Sequence, residues 1–272
     1  MHTARTLLLG LILASTADFC PAAPHAVSLV TDDQQHGTET AGLMPVVDSL
    51  ARSGAAFTRA YAGYPICHVS RAEMHTGRAC FTALKNYPDG GLDPAHKTLA
   101  AAFAEAGYET WHTGKWHVNG QPRDQGYARM RRHFSSGGSR GQPLPEKDER
   151  GLPLTGYRGW TFKHEDGKVE AELGIGLTAR TSEHIADGAI EVIRGLRDTG
   201  KPLFLHVNFT APHDPRLWPA GYAPGPADKR PPLPPNFARE HPFDHGNAGG
   251  RDETLIPVPL DPEQGRDELE VY

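Results

Sequence analysis

Past its first fourteen residues this 272-residue chain has no long apolar run. No later segment therefore reads as a membrane-spanning helix, which needs roughly 20 consecutive apolar residues. Positive charge is also in short supply: 28 lysines and arginines stand against 33 aspartates and glutamates, a net charge of -5. That balance excludes the broad basic surface expected of a generic nucleic-acid binder. Cysteine numbers only 3. If a leader is removed after Ala23, Cys67 and Cys80 are what remains, and in an oxidising compartment those two would be able to pair. No internal repeat is visible.

Glycine (30) and proline (24) are plentiful. They interrupt periodic apolar segments instead of forming tracts, which predicts many loops and not disorder. The length suits one large α/β domain, or a domain and a half. The first residues, MHTARTLLLGLILASTADFCPAAP, have Arg5 as a positive n-region, an apolar core from Leu7 to Ala14, and small residues at Ser15, Ala17 and Ala23. This pattern predicts a signal peptide over 1–23 and a periplasmic or secreted protein; a buried first helix is the plainer alternative. Asp18 and Phe19 before Cys20 do not make a lipobox.

After the leader, His25–Thr31 (HAVSLVT) reads as a strand that runs into Asp32 and Asp33. A helix follows over 44–51, with Pro45 suited to its first turn and Gly54 as its stop. Ala56–Tyr61 reads as a short strand, Ser70–Thr76 as a helical turn, Thr98–Ala106 as an alanine-rich helix and Tyr108–His112 as a strand. Ser182–Arg197 has apolar residues along one helical face, and Pro202–Phe209 (PLFLHVNF) is a strand. Strand, polar cluster and helix recur three times, which predicts an α/β fold: a mixed or parallel sheet with helices on both faces. Residues 118–180 read as a weakly periodic insertion and 215–264 as a proline-rich surface loop. Asp261–Tyr272 reads as the opening of a helix.

Four polar clusters fall where strands should end: Asp32-Asp33, Cys67 to Arg71, Lys115-x-His117 and His213-Asp214. Each has a bland reading alone, since paired aspartates are common in turns and Lys-x-His is ordinary strand alternation. Their shared location, at the strand ends where open α/β sheets bind ligands, gives them joint weight. Two carboxylates without an adjacent cysteine or histidine favour a hard cation, calcium or magnesium, over zinc. Arg71, Lys115, His117 and His213 are donors for an anion. Cation, donors and a nucleophile together fit displacement at a sulfate or phosphate centre.

The same runs resemble a known family. Cys-x-Val-Ser-Arg followed by Ala-x-x-x-Thr-Gly-Arg resembles the sulfatase signature. SLVTDDQ resembles that family's opening strand and metal-binding aspartates, HTGKWH its second signature, and FTAPHDP its substrate-binding histidine segment. The resemblance runs from about residue 25 onward and implies an alkaline-phosphatase-like fold and hydrolysis of sulfate esters. It implies that a formylglycine-generating or anaerobic maturing enzyme converts Cys67 to formylglycine. The hydrated aldehyde offers one hydroxyl to attack sulfur and a second to release sulfate. It further implies that Asp32, Asp33 and modified Cys67 bind calcium, and that Arg71 fixes the hydrate. Lys115 would then contact sulfate, His117 would assist formylglycine, and His213 would contact sulfate or protonate the leaving oxygen. Ser135 or Ser136 would be a further sulfate contact, on a weaker alignment.

Two departures qualify the match. Val69 stands where the family usually has proline or alanine, inside the segment that the modifying enzyme reads. Family members also continue to a later strand ending in Asp, Asn or His, and Gly, with a lysine beyond. Asp244-His245-Gly246 resembles that ending but follows Pro242 and Phe243 in the proline-rich loop and is read as loop chemistry. The chain is therefore expected to be the N-terminal part of a sulfatase over 24–272. The alternatives are a phosphate or phosphonate monoester hydrolase of the same superfamily, or a truncated non-catalytic remnant.

Overall fold

Five strands form one sheet in the order β1-β5-β2-β3-β4 in the computed structural model. They are β1 (Ala26–Asp32), β2 (Glu109–Lys115), β3 (Arg129–Ser135), β4 (Thr161–Lys163) and β5 (Leu203–Pro212). The first four in space are parallel, and β4 pairs antiparallel with β3. The structure describes residues 23–38, 43–87, 91–138, 144, 146–147, 154, 156–196, 200–219, 221–222, 225–226, 229–244, 246, 249–250 and 255–272. The expected leader lies outside them except for its last residue, as does His245.

The interior strand β5 is apolar on one face and mixed on the other, and this sets the layers. Leu203, Leu205 and Val207 point to one side, where Ile185, Ala189 and Val192 of helix α5 (Thr181–Gly195) pack on them with Phe134 and Phe162. Burial of each large aliphatic side chain contributes about 1.5–3 kcal/mol. On the other side Phe204 stacks on Phe103 of α4 (Leu99–Glu105), with ring centroids 4.1 Å apart. Thr98 caps α4 by accepting from the Ala101 N–H, which satisfies one otherwise orphan donor. Helices thus cover both faces, as the alternation predicts.

The remaining helices are α1 (Pro45–Ser53), α2 (Cys67–Thr76), α3 (Cys80–Ala83) and α6 (Pro262–Val271). Asp261 caps α6 through the Glu263 and Gln264 N–H groups. Among the described residues no α-helix or strand lies between β5 and α6. No helix of the described residues is long and apolar enough to cross a membrane.

Two expectations are corrected. Ala56–Tyr61 forms no strand, and Phe57 and Tyr61 are exposed; a β-prone run without a sheet neighbour gains nothing from its propensity. The segment 118–180, read as a weakly periodic insertion, supplies two strands of the sheet, β3 and β4. Arginines hide the strand pattern of β3. Its Met130 and Phe134 are buried, while Arg129 lies on the Trp111 ring at 4.4 Å and Arg132 pairs with Glu170 at 2.7 Å. The Cys67–Cys80 pairing is absent, since both are free thiols.

Beneath the sheet's functional edge lies a group of buried histidines: His75 on α2, His112 on β2, His133 on β3 and His206 on β5. The Tyr127 hydroxyl bridges His206 Nδ1 at 2.6 Å and His75 Nδ1 at 3.4 Å. Burial holds all four neutral. His75 and His133 fall to about 3, His206 to about 4, and His112 well below its ordinary value. Unfolded histidine titrates near 6.5, so between there and pH 3–4 the unfolded chain binds more protons than the folded one. Stability present above about pH 6.5 is lost progressively below it, by up to about 1.4 kcal/mol per pH unit for each histidine. Urea denaturation should give a clearly lower midpoint at pH 5 than at pH 7. An unchanged midpoint would contradict the neutral burial of this group.

Candidate active site

Each parallel strand delivers its polar residues to the same edge. Asp32 is the last residue of β1, Lys115 the last of β2, and His213 and Asp214 follow β5. Asp33 turns away with φ 61, the left-handed conformation that aspartate tolerates better than most residues. The position of Lys115 depends on Gly114. It has φ 86, and a Cβ there would collide with the Asn208 carbonyl oxygen. The β2–β3 register slips at this point, between Thr113 and Gly114.

Cys67 opens α2, and Arg71 lies one turn on, on the same side of the helix. Arg71 is buried and ties three elements together. Its guanidinium donates to Asn208 Oδ1 at 2.7 Å, to the Lys115 carbonyl at 3.4 Å and to Asp32 Oδ1 at 3.4 Å. Lys115 Nζ donates to Asp32 Oδ2 and, at 2.5 Å, to the Tyr157 hydroxyl. Tyr157 in turn donates to Asp32 Oδ2 at 2.7 Å.

These contacts decide the charges. Burial alone would raise the Asp32 carboxyl, but the charges of Lys115 and Arg71 and the two hydrogen bonds outweigh it and the pKa falls. Burial also pulls the Lys115 ammonium down, more than Asp32 restores. Asp33 is raised, by burial first and by the neighbouring negative charges of Asp32 and Cys67, with His213 opposing.

Cys67 is half-buried, and burial pushes its thiol up. Hydrogen bonds from His117 and His213 and the charge of Lys115 more than reverse this and bring it to about 5. Placement at a helix N-terminus acts in the same direction. His213 Nδ1 lies 2.6 Å from the Asp214 carbonyl and 3.1 Å from Asp214 Oδ1, and Nε2 lies 3.5 Å from Asp33 Oδ2. The carbonyl requires a proton on Nδ1, so Nε2 is the nitrogen that faces the site. Burial lowers His213, but the Cys67 hydrogen bond and Asp214 more than offset it and its pKa is raised. His117 packs edge-on to Trp160 at 5.2 Å.

The structure therefore brings Asp32, Asp33, Cys67, Arg71, Lys115, His117 and His213 to one edge of the sheet. Ser135 is buried at the end of β3, where Lys163 donates to its Oγ at 2.8 Å. Among the described residues, one group of side chains gathers like metal ligands: Asp33, His213 and Asp214, with donor atoms within 4.8 Å of one another. Asp32 and Cys67 stand outside it, and Lys115 and Tyr157 occupy the Asp32 carboxylate. The carboxylate oxygens of Asp33 and Asp214 are hard donors that fit a divalent cation, with the His213 imidazole as the third donor of the group.

Sequence reasoning missed Tyr157 and Asn208. Tyr157 sits in an irregular segment with no spacing that marks it. Asn208 had a signal: His206, Asn208 and Thr210 put polar groups at every second position of an otherwise apolar strand, so one face of that strand had to find polar partners.

In the unconverted protein, the pH dependence of iodoacetamide alkylation at Cys67 should have a midpoint near 5. His117→Ala should move it up towards the ordinary thiol value of about 8.5. A midpoint already near the ordinary value in the wild type would contradict the hydrogen-bonded thiolate.

Known proteins resemble this chain in sequence and in fold. The Sulfatase family model matches residues 24–253. The N-acetylgalactosamine-6-sulfatase of Canis lupus familiaris is 26% identical over 224 residues, which is 72% of this chain and 41% of that protein. The arylsulfatase of Clostridium perfringens is 26% identical over 193 residues, 63% of this chain and 38% of that protein. The chain thus spans about two-fifths of the length of these relatives. Among solved structures, Ps i-CgsB in complex with k-i-k-neocarrahexaose aligns with a TM-score of 0.53 at 21% identity, over 71% of this chain and 46% of that one. A protein crystallised with its substrate D-glucosamine-2-N,6-O-disulfate aligns with a TM-score of 0.53 at 18% identity, over 91% of this chain and 52% of that one. At those identities the structural matches establish the fold, which is the alkaline-phosphatase-like one expected. With the family model covering 24–253, the chain belongs to the sulfatase family of sulfuric ester hydrolases.

Proposed function

We propose that this chain carries the nucleophile-bearing part of a site that hydrolyses sulfate esters of carbohydrates, with calcium as cofactor and Cys67, converted to formylglycine by a maturation enzyme, as the reacting residue. The observation that carries the reading is the convergence on Cys67 of His117, His213 and Lys115, beside the strand-end aspartates. Carbohydrate substrates are suggested by the N-acetylgalactosamine-6-sulfatases and by the neighbours solved with a neocarrahexaose and a sulfated glucosamine. Export through the 1–23 leader to the periplasm or beyond would place the enzyme where such substrates occur.

Formylglycine supplies two hydroxyls on one carbon, one for attack on sulfur and one for sulfate release. Calcium, once bound, would be held by Asp33 and by Asp32 in exchange for its contacts with Lys115 and Tyr157, and would supply positive charge against the sulfate oxygens. The chain's own residues do the rest. Lys115 and Arg71 place two cations where burial strengthens their attraction for an anion. Arg71 also fixes α2, and so Cys67, against β1 and β5. His213 carries a raised pKa and has Nδ1 committed to Asp214, so Nε2 holds the proton for the departing oxygen. His117 orients the Cys67 side chain, with Trp160 and Tyr157 closing the site behind it.

Protein made alongside a formylglycine-generating enzyme should yield a Cys67 peptide with the aldehyde mass. Calcium should raise its melting temperature, and Asp33→Asn should abolish that rise. An unmodified thiol in protein from the native host, together with no calcium effect, would sink the proposal.

A further inference from the structure

Next to the nucleophile, on the far side of His117, lies a cleft of about 250 Å³. Its walls include His68, His117, Asn119, Gln121, Ser135 and Lys163, and among the described residues no carboxylate lines it. His117 belongs both to the cleft and to the contacts of Cys67, and the His68 ring lies 5.8 Å from the His117 ring. A ligand in the cleft therefore lies alongside the reacting residue. Its volume is below the roughly 300–1,000 Å³ of sites for drug-sized ligands, and suits one sugar ring.

Lys163 gives the cleft its character. Its ammonium donates to Ser135 Oγ at 2.8 Å and to the Ser136 carbonyl at 2.7 Å. Both acceptors are neutral, and no described carboxylate pairs with Lys163. Other lysines and arginines of this region do have acidic partners: Lys115 has Asp32, Arg129 has Glu165 and Arg132 has Glu170. Burial alone lowers the Lys163 pKa, with no charge to restore it. A partly desolvated cation held by neutral oxygens is completed by an anion.

We propose that this cleft is a subsite for a second anionic group, a sulfate or a carboxylate, on the sugar that bears the scissile sulfate ester. Lys163 is its counter-ion, and Asn119 and Gln121 serve the neighbouring hydroxyls. The proposal rests on the sulfate-ester reading above and extends it to doubly anionic sugars.

Calorimetric titration tests it with protein made without the maturation enzyme, so that Cys67 stays a thiol and the ligand is not consumed. The probes are N-acetylglucosamine with one sulfate ester and the same sugar with two. The disulfated sugar should bind at least about tenfold more tightly, as expected of a charge-assisted contact. Lys163→Met should remove that preference and leave the affinity for the monosulfated sugar unchanged, while Lys163→Arg should keep it. The wild-type comparison decides alone if Lys163→Met does not fold. Equal wild-type affinities, or a preference that survives in Lys163→Met, would overturn the subsite while monosulfate binding upholds the sulfate-ester reading. Failure of both sugars to bind would overturn both.

Discussion

The buried carboxylate of Asp32 is the constraint around which the site is built. It ends β1 and is reached by Lys115 from β2, Arg71 from α2 and Tyr157 from the segment before β4. Taking a carboxylate and two cations out of water costs several kcal/mol each, and only mutual pairing with complete hydrogen bonding offsets it. The network therefore works only if four separate pieces of chain arrive in register. That requirement explains Gly114, where β2 crowds the Asn208 backbone, and Asn208 itself, which holds Arg71 at 2.7 Å. Lys115 also keeps the strand-end carboxylates and the Cys67 thiolate from being assembled without counter-charge.

The core on either side serves this edge in different ways. On the α5 face, aliphatic and aromatic packing holds β5 and β3 rigidly. On the α4 face, the layer below the site is made of neutral histidines and Tyr127, wedged between Arg71 and Phe204. A layer of this kind tolerates the nearby guanidinium while the histidines stay uncharged, and it becomes a liability in acid. Function and acid sensitivity are in this sense built from the same layer.

Much of this could be read from the sequence, for physical reasons. β1, β2 and β5 are short apolar or β-branched runs that end in polar clusters, so both the strands and the polar ends were visible; α4 announced itself by its alanines and α5 by helical periodicity. The candidate site residues stood out because polar clusters fall at the strand ends and resemble sulfatase segments. β3 escaped because its three arginines satisfy their charges on Trp111, Glu165, Glu170 and Glu191, partners distant in sequence. Tyr157 escaped for the same reason: its value lies wholly in contacts with Asp32 and Lys115, 125 and 42 residues away. The pairing of Asp32 with Lys115 in place of a cation, and the gathering of Asp33, His213 and Asp214, are likewise tertiary facts with no local signature.

The measurement that tests the central claim most directly is turnover by Cys67-converted protein on matched aryl sulfate, phosphate and phosphonate esters, with Cys67→Ala as control. The account predicts that the sulfate ester is cleaved fastest and that Cys67→Ala abolishes its cleavage. A marked preference for the phosphonate or phosphate, or sulfate cleavage that survives Cys67→Ala, would contradict it.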